Sequence, residues 1–190
     1  TFGAGSGAGV SGGTSTVAAA VDVAAGDLII VGTSFDTIST APFGVTLSDT
    51  FGDSYSTVTG PLNGTDPNGL GIHQRLSAGA AGSAGEVTVT ATISGSASAS
   101  YFEIVVATYR GTATLPFGDG LAQAQAQGSG TPTTAPITTT SADALVVGYI
   151  MGFDAAITVS PGATARVSVA ADVLHDTVVT VPGDVSLTFG

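Results

Sequence analysis

The stretch that decides the fold is AAGDLIIVGTSFD, residues 24–36. A second stretch, SADALVVGYIMGFD at residues 141–154, follows the same plan: small residues and an Asp, an apolar run, and a closing Phe-Asp pair. Apolar runs of this length without helical periodicity are typical of strands that are buried on both faces. We therefore expect two core strands of one type, each in one of two similar halves of the chain.

The rest of the sequence alternates between strand signals and turn signals. Alternation is clearest in GEVTVTATI, residues 85–93, where apolar residues alternate with threonines, as a half-buried antiparallel strand requires. Gly-, Asn-, Asp- and Pro-rich turns separate such segments, and no segment has a convincing 3.6-residue period. The sequence predicts an all-β chain folded as a two-sheet antiparallel β-sandwich of the jelly-roll or Ig-like type.

The two ends of the chain carry the signals for assembly. Residues 1–13, TFGAGSGAGVSGG, have the composition of a flexible arm, and residues 14–190 read as one sandwich domain with an internal loop boundary near 118–136. Ordering a Gly-rich segment costs backbone entropy, so an ordered arm must be held by a neighbouring subunit or by its own sheet. The last strand-like segment, DVSLTFG at 184–190, would be adhesive at a sheet edge. The predicted assembly residues are Thr1, Phe2, Val185, Leu187 and Phe189.

Composition excludes several classes of function. The 190 residues include no Lys, three Arg and 14 acidic residues, for a net charge of −11. So few cations leave phosphates without partners, which argues against nucleic acid and against anionic membrane surfaces. No apolar run approaches the ~20 residues that span a bilayer, so we predict no membrane insertion. The absence of Cys excludes disulfides and thiol chemistry.

Acidic loops offer the one metal hypothesis. Asp49 and Asp53 lie in LSDTFGDSY, and Asp66 lies in NGTDPNG. Carboxylates on neighbouring loops are suitable ligands for Ca²⁺. Asp in a Gly-rich turn also accepts hydrogen bonds from its own turn, and we favour this interpretation. No cofactor is therefore predicted, and Ca²⁺ is the alternative.

The residues that could carry catalysis are few and lack a recognisable arrangement. His73 and His175 are the two histidines, and nothing near them resembles a nucleophile elbow. We interpret His175 as a solvent-exposed turn residue. Glu103 is an acid inside an aromatic, apolar run, but it lacks the second carboxylate of a glycosidase pair. We expect Glu103 to pair with Arg75 or Arg110, and we predict no enzymatic activity; a hydrolase would need Glu103 or His175 to line a pocket with a partner group.

Four stretches together resemble a known group of domains: VDVAAGDLIIVGTS, VTLSDTFGDSYSTV, HQRLSAGAAGSAGEVTVTATIS and FEIVVATYRGTA. They resemble β-sandwich domains of bacterial exoproteins and of phage tail, head-fibre or decoration proteins, over roughly residues 20–155. The resemblance implies a structural or glycan-facing role and provides no shared catalytic residue. This chain lacks Trp, which glycan-binding members of the group often use as a stacking platform.

Two functions follow as hypotheses. The first is a non-enzymatic structural subunit of an extracellular filament, a surface layer or a virion fibre or decoration, on the cell surface or the virion exterior. Its partners would be copies of itself or other structural subunits, bound through the N-terminal arm and the C-terminal strand. The alternative is a carbohydrate-binding or adhesion module that takes surface glycans on exposed aromatic rings. Its candidate ligand-binding residues are Tyr55, Tyr101 and Tyr109.

Overall fold

A computed structural model describes residues 1–37, 44–65, 71–94, 99–111, 133, 136–151, 162–170 and 172–187. Within these ranges the chain forms thirteen strands and no helix, so none of the described residues belongs to a helix that could cross a membrane. The strands are β1 (Phe2–Thr14), β2 (Thr16–Val23), β3 (Leu28–Thr37), β4 (Val45–Asp49), β5 (Tyr55–Thr65), β6 (Gly71–Ala80), β7 (Gly85–Ile93), β8 (Ala99–Tyr109), β9 (Ile137–Thr139), β10 (Ala144–Met151), β11 (Thr164–Val169), β12 (Asp172–Val179) and β13 (Gly183–Val185). The loop boundary predicted near 118–136 lies, apart from residues 133 and 136, outside the described residues.

These strands form four antiparallel sheets. The largest has the order β1-β8-β3-β6-β5 and is called the central sheet below. Two three-stranded sheets have the orders β2-β7-β4 and β10-β12-β11, and β13 pairs with β9. The prediction of an all-β chain with antiparallel sheets is confirmed.

The first of the two similar stretches forms β3, which lies in the middle of the central sheet and is buried along its whole length. Successive side chains of a strand point to opposite faces. Ile29, Val31 and Phe35 contribute to an apolar cluster shared with β2, β4 and β7. Leu28 and Ile30 contribute to a second cluster shared with β10, β11 and β12. Because both faces are covered, the first four residues of β3, Leu28–Val31, are all apolar, and the polar residues further along the strand are buried as well.

The second stretch forms β10, at the edge of its three-stranded sheet. Leu145 and Val147 belong to the cluster on the central sheet, whereas Val146 and Ile150 belong to a third cluster. That third cluster includes residues from β9 and β13 together with Leu187. The likeness of the two stretches therefore comes from burial on both faces, although β3 and β10 occupy different places in their sheets.

The Gly-rich segment predicted as an arm forms β1, which pairs antiparallel with β8 from Phe2 opposite Tyr109 to Thr14 opposite Ala99. Its glycines allow β11 to pack closely on it. A Cβ added to Gly5 would lie 2.4 Å from Val167 Cγ2, and one added to Gly7 would lie 2.1 Å from Val169 Cγ2. Of the two ways to hold an ordered arm, the structure therefore shows the segment held by its own sheet.

Candidate functional site: an open sheet edge and a buried carboxyl pair

Strand β1 presents a long open edge. It pairs with β8 on one side, and no described strand pairs with its other side. Its start is fixed to the end of β8, because the Arg110 N–H donates to the Thr1 carbonyl at 2.7 Å. Residues 1–21 contain no charged side chain. An uncharged edge with a free row of backbone donors and acceptors is a template for another strand.

The opposite edge of the same sheet, β5, is built differently. Pro61 lies within this strand and has no backbone N–H to offer a neighbour. The register of β5 against β6 shifts twice between Thr57 and Leu62, and Gly60 has a φ of +102°. Proline and bulges are devices that block strand addition at an edge. The register of β1 against β8 also shifts twice, between Phe2 and Gly5 and between Ser11 and Thr14. Pro61 is therefore the blocking feature that β5 has and β1 lacks.

Most of the predicted assembly residues contribute to packing within the chain itself. Phe2 packs edge-on against Tyr109, with ring centroids 5.9 Å apart, and the Arg166 guanidinium lies 4.8 Å above its ring centroid. Val185 pairs with a residue of β9, and Leu187 is buried in the third cluster. Phe189 lies outside the described residues. Thr1 and Phe2 therefore adjoin the open edge, whereas Leu187 belongs to the core.

A buried carboxyl pair lies where the central sheet meets β12. Asp172 is fully buried, and its Oδ2 accepts hydrogen bonds from the Ser34 and Tyr149 hydroxyls. Its Oδ1 has no donor. The half-buried Glu103 lies close enough to Asp172 for its charge to raise the pKa of that carboxyl group. A hydrogen bond between two carboxyl groups needs a proton on one of them, because both carboxylates are acceptors.

Burial raises the pKa of Asp172 well above its ordinary value, and the charge of Glu103 raises it further. The hydrogen bonds from Ser34 and Tyr149 act in the opposite direction. Burial also raises the pKa of Glu103; the interaction with Asp172 acts against this rise, and the nearby Asp36 adds to it. Two acids in one low-dielectric site hold a proton at a pH where isolated carboxyl groups have lost theirs.

The prediction that Glu103 pairs with an arginine is wrong. Arg75 Nη1 donates to the Val45 carbonyl at 2.6 Å, between two sheets, where burial lowers the pKa of the guanidinium. Arg110 pairs with Asp27 at 3.3 Å. The sequence supplied no signal for Asp172 as the partner, because that residue is 69 positions further along the chain and opens an ordinary apolar strand.

The interpretation of His175 as a solvent-exposed turn residue is also wrong. His175 lies inside β12, fully buried, opposite Gly148 on β10. A Cβ on Gly148 would lie 2.0 Å from His175 Nε2, so the glycine makes room for the imidazole. Burial lowers the pKa of His175 to about 4, against an opposing effect of Asp176. His73 is buried as well, and its ring stacks on Phe35 with centroids 4.6 Å apart.

The acidic loop is organised as a turn. Asp49 Oδ1 accepts from three backbone N–H groups, those of Phe51, Gly52 and Asp53, at 2.8, 2.7 and 3.1 Å. Its Oδ2 accepts from the Tyr55 hydroxyl at 2.6 Å. Asp53 in turn accepts from the Gly82 N–H at 3.1 Å. This is the interaction pattern of an Asp that stabilises its own turn.

The third predicted calcium ligand, Asp66, lies outside the described residues. In the part of the chain that the structure describes, no three His, Asp or Glu residues form a group suited to a metal ion. Asp49 and Asp53 are therefore neighbours in one turn, and their described contacts are with protein donors.

The three tyrosines predicted to bind a ligand do not meet. Tyr101 is 60% exposed, whereas Tyr109 on the same strand is fully buried. Eight residues of strand separate them, which is about 27 Å at a rise of ~3.4 Å per residue. Tyr55 is half-buried against the cluster between the central sheet and β2, β4 and β7. Burial and the bond to Asp49 raise the pKa of Tyr55 above its ordinary range.

Comparisons with protein-family models, with curated proteins and with solved structures found no match to this chain. The resemblance to exoprotein and phage fibre domains accordingly stays a prediction.

Proposed function

We propose that this chain is a non-enzymatic structural subunit of an extracellular filament, a surface layer or a virion exterior, where it binds copies of itself or other structural subunits. One observation carries the proposal: β1 is a 13-residue, uncharged edge strand with no described strand on its outer side. Soluble proteins usually protect such edges with charges, proline or bulges. The same sheet has a proline, Pro61, in its other edge strand β5, whereas β1 contains none.

Charge supports the same conclusion. With a net charge of −11, two copies repel each other over most of their surfaces. The first acidic residue of the chain is Asp22, which follows the whole of β1. The edge of β1 is therefore a place where two copies approach with little electrostatic cost.

The proposal includes the predicted two-sheet β-sandwich of the jelly-roll or Ig-like type, formed by the central sheet and the β2-β7-β4 sheet. Its support is the apolar cluster between these two sheets; the β10-β12-β11 sheet adds a further layer on the opposite face of the central sheet. Such a layered body leaves sheet edges as the sites where backbone hydrogen bonds to another subunit form.

The test is the solution mass of the protein by light scattering over a series of concentrations, with two lysine variants. Val10 on β1 is 37% exposed and Val178 on β12 is 55% exposed. We expect the native chain to form oligomers, V10K to shift towards the 18.3 kDa monomer, and V178K to behave as the native chain. V178K is the matched control because β12 is the middle strand of its sheet.

A monomer at every concentration would contradict the proposal. The alternative of a glycan-binding module would then be tested by a glycan screen with and without Ca²⁺. Tyr101 is the one of its three candidate residues that the structure leaves mostly exposed, so Y101A would be the variant for that screen.

A further inference from the structure

The open edge of β1 has a sequence that reads the same in both directions. Gly3-Ala4-Gly5-Ser6-Gly7-Ala8-Gly9 is symmetric about Ser6, and all seven residues lie within β1. An antiparallel pair of identical strands around a two-fold axis places each residue opposite its mirror position. We infer that two copies of this chain pair antiparallel through the outer edges of β1, with the two-fold axis at Ser6. The inference rests on the proposed function of β1 as the assembly edge.

This register matches small residues with small residues. Ser6 lies opposite Ser6 of the second copy and Gly5 opposite Gly7. The pairs Ala4–Ala8 and Gly3–Gly9 extend this register into the segment of β1 that shifts against β8, between Phe2 and Gly5. Side chains of paired strands point above and below the sheet, so these small residues add little bulk on either face of the new pair. The two central sheets of five strands would then form one sheet of ten strands.

The two faces of the new pair are partly covered in each copy. Gly5 and Gly7 lie beneath Val167 and Val169 of β11. Ala4 and Ala8 pack on the opposite side, against the cluster that includes β2, β4 and β7. The association therefore needs backbone hydrogen bonds and does not need a new apolar face.

The alternative occupant of this edge is β5 of a second copy, which would extend the sheet head to tail into an open filament. Pro61, which has no backbone N–H, acts against it. The two-fold pair uses the proline-free edge twice and closes on itself. A larger assembly would then require a second contact elsewhere on the chain.

Cysteine cross-linking tests the register directly. The chain has no Cys, so S6C carries a single thiol. Directly opposed residues of antiparallel strands have Cα atoms about 4.5–5.5 Å apart, within the range that a disulfide bridges. We expect mild oxidation of S6C to yield a covalent dimer of twice the 18.3 kDa chain, reversed by a reductant. V181C is the control, because Val181 is 71% exposed and lies far along the chain in the link between β12 and β13.

A mixed experiment keeps the inference testable if S6C fails to fold. A4C and A8C should each stay uncross-linked alone and should cross-link to each other when mixed. Native protein that is oligomeric, with no cross-link at Ser6 or between Ala4 and Ala8, would overturn the two-fold register and leave the proposed function standing. Native protein that is monomeric at every concentration would overturn both.

Discussion

Glu103 of the central sheet and Asp172 of β12 are neighbouring acids, and the charge of Glu103 raises the pKa of Asp172. Asp172 is fully buried, and no described donor bonds to its Oδ1. The contact between these sheets thus contains a proton-sharing pair, and its stability should depend on pH.

The D172N variant tests this pair. The amide oxygen of Asn would accept from Ser34 and Tyr149, and the amide nitrogen would donate to Glu103. A raised pKa means that the contribution of Asp172 is complete below its ordinary pKa of about 4 and is lost as the pH rises towards the raised value. We expect D172N to exceed the native chain by roughly 1–2 kcal/mol in urea unfolding at pH 8, with little difference at pH 4.

The control for that experiment is D176N. Asp176 accepts from Arg166 Nε at 2.8 Å and forms an ion pair, so its replacement should lower stability at pH 8. If the difference in unfolding free energy between D172N and the native chain is the same at pH 4 and pH 8, the interpretation that Asp172 and Glu103 share a proton is contradicted.

We expect protonation of His175 to lower the free energy of unfolding at acid pH. Burial lowers its pKa from 6.5 to about 4, so the neutral imidazole is the folded form. A lowered pKa gives a contribution that is complete above pH 6.5 and lost as the pH falls through about 4, with a limit on the order of 3 kcal/mol. We expect the NMR signal of the His175 ring, assigned with H175Q, to titrate near pH 4. A midpoint near 6.5 would show that the ring is not buried as described.

Gly7 tests the contact between β1 and β11. In G7A the new Cβ would lie 2.1 Å from Val169 Cγ2, and we expect a loss of about 1–3 kcal/mol in the free energy of unfolding from overpacking. The double variant G7A/V169A should recover part of this loss because it removes the clashing methyl groups. G9A is the matched control, since its added Cβ would lie 3.3 Å from both Glu103 Cγ and Val169 Cγ1, against 2.1 Å to Val169 Cγ2 in G7A. Equal losses in G7A and G9A would contradict this packing.

Tyr55 tests the turn at Asp49. Y55F removes the hydroxyl that donates to Asp49 Oδ2 at 2.6 Å. We expect a loss of about 1 kcal/mol in thermal or urea unfolding, the usual net value of such a bond. Y101F removes a hydroxyl from a side chain that is 60% exposed and should change stability little. A Y55F chain as stable as Y101F would exclude a stabilising role for this bond.

The sequence predicted the strands whose patterns are local. The alternation in residues 85–93 is reproduced in β7, where Val87, Val89 and Ala91 are fully buried. The continuous apolar run of β3 correctly indicated burial on both faces. Both patterns lie within a single strand, so they can be read without knowing which distant residues pack against it.

The features that the sequence did not predict depend on distant partners. The glycines of β1 are typical of a linker until Val167 and Val169 of β11 are placed above them. Glu103 meets Asp172 only because two sheets stack, and His175 is buried only because Gly148 leaves space beside it. No local pattern encodes these contacts, since each joins residues well separated along the chain.

The most direct test of the central claim is hydrogen–deuterium exchange of the β1 backbone amides in the native chain at two widely separated concentrations. In a single copy the amides on the outer side of β1 face solvent and exchange fast. We predict that the outward-facing amides between Gly3 and Val10 become protected at the higher concentration, while exchange in β5 stays unchanged. Equal exchange of the β1 amides at both concentrations, in a protein whose mass stays at 18.3 kDa, would contradict assembly through this edge.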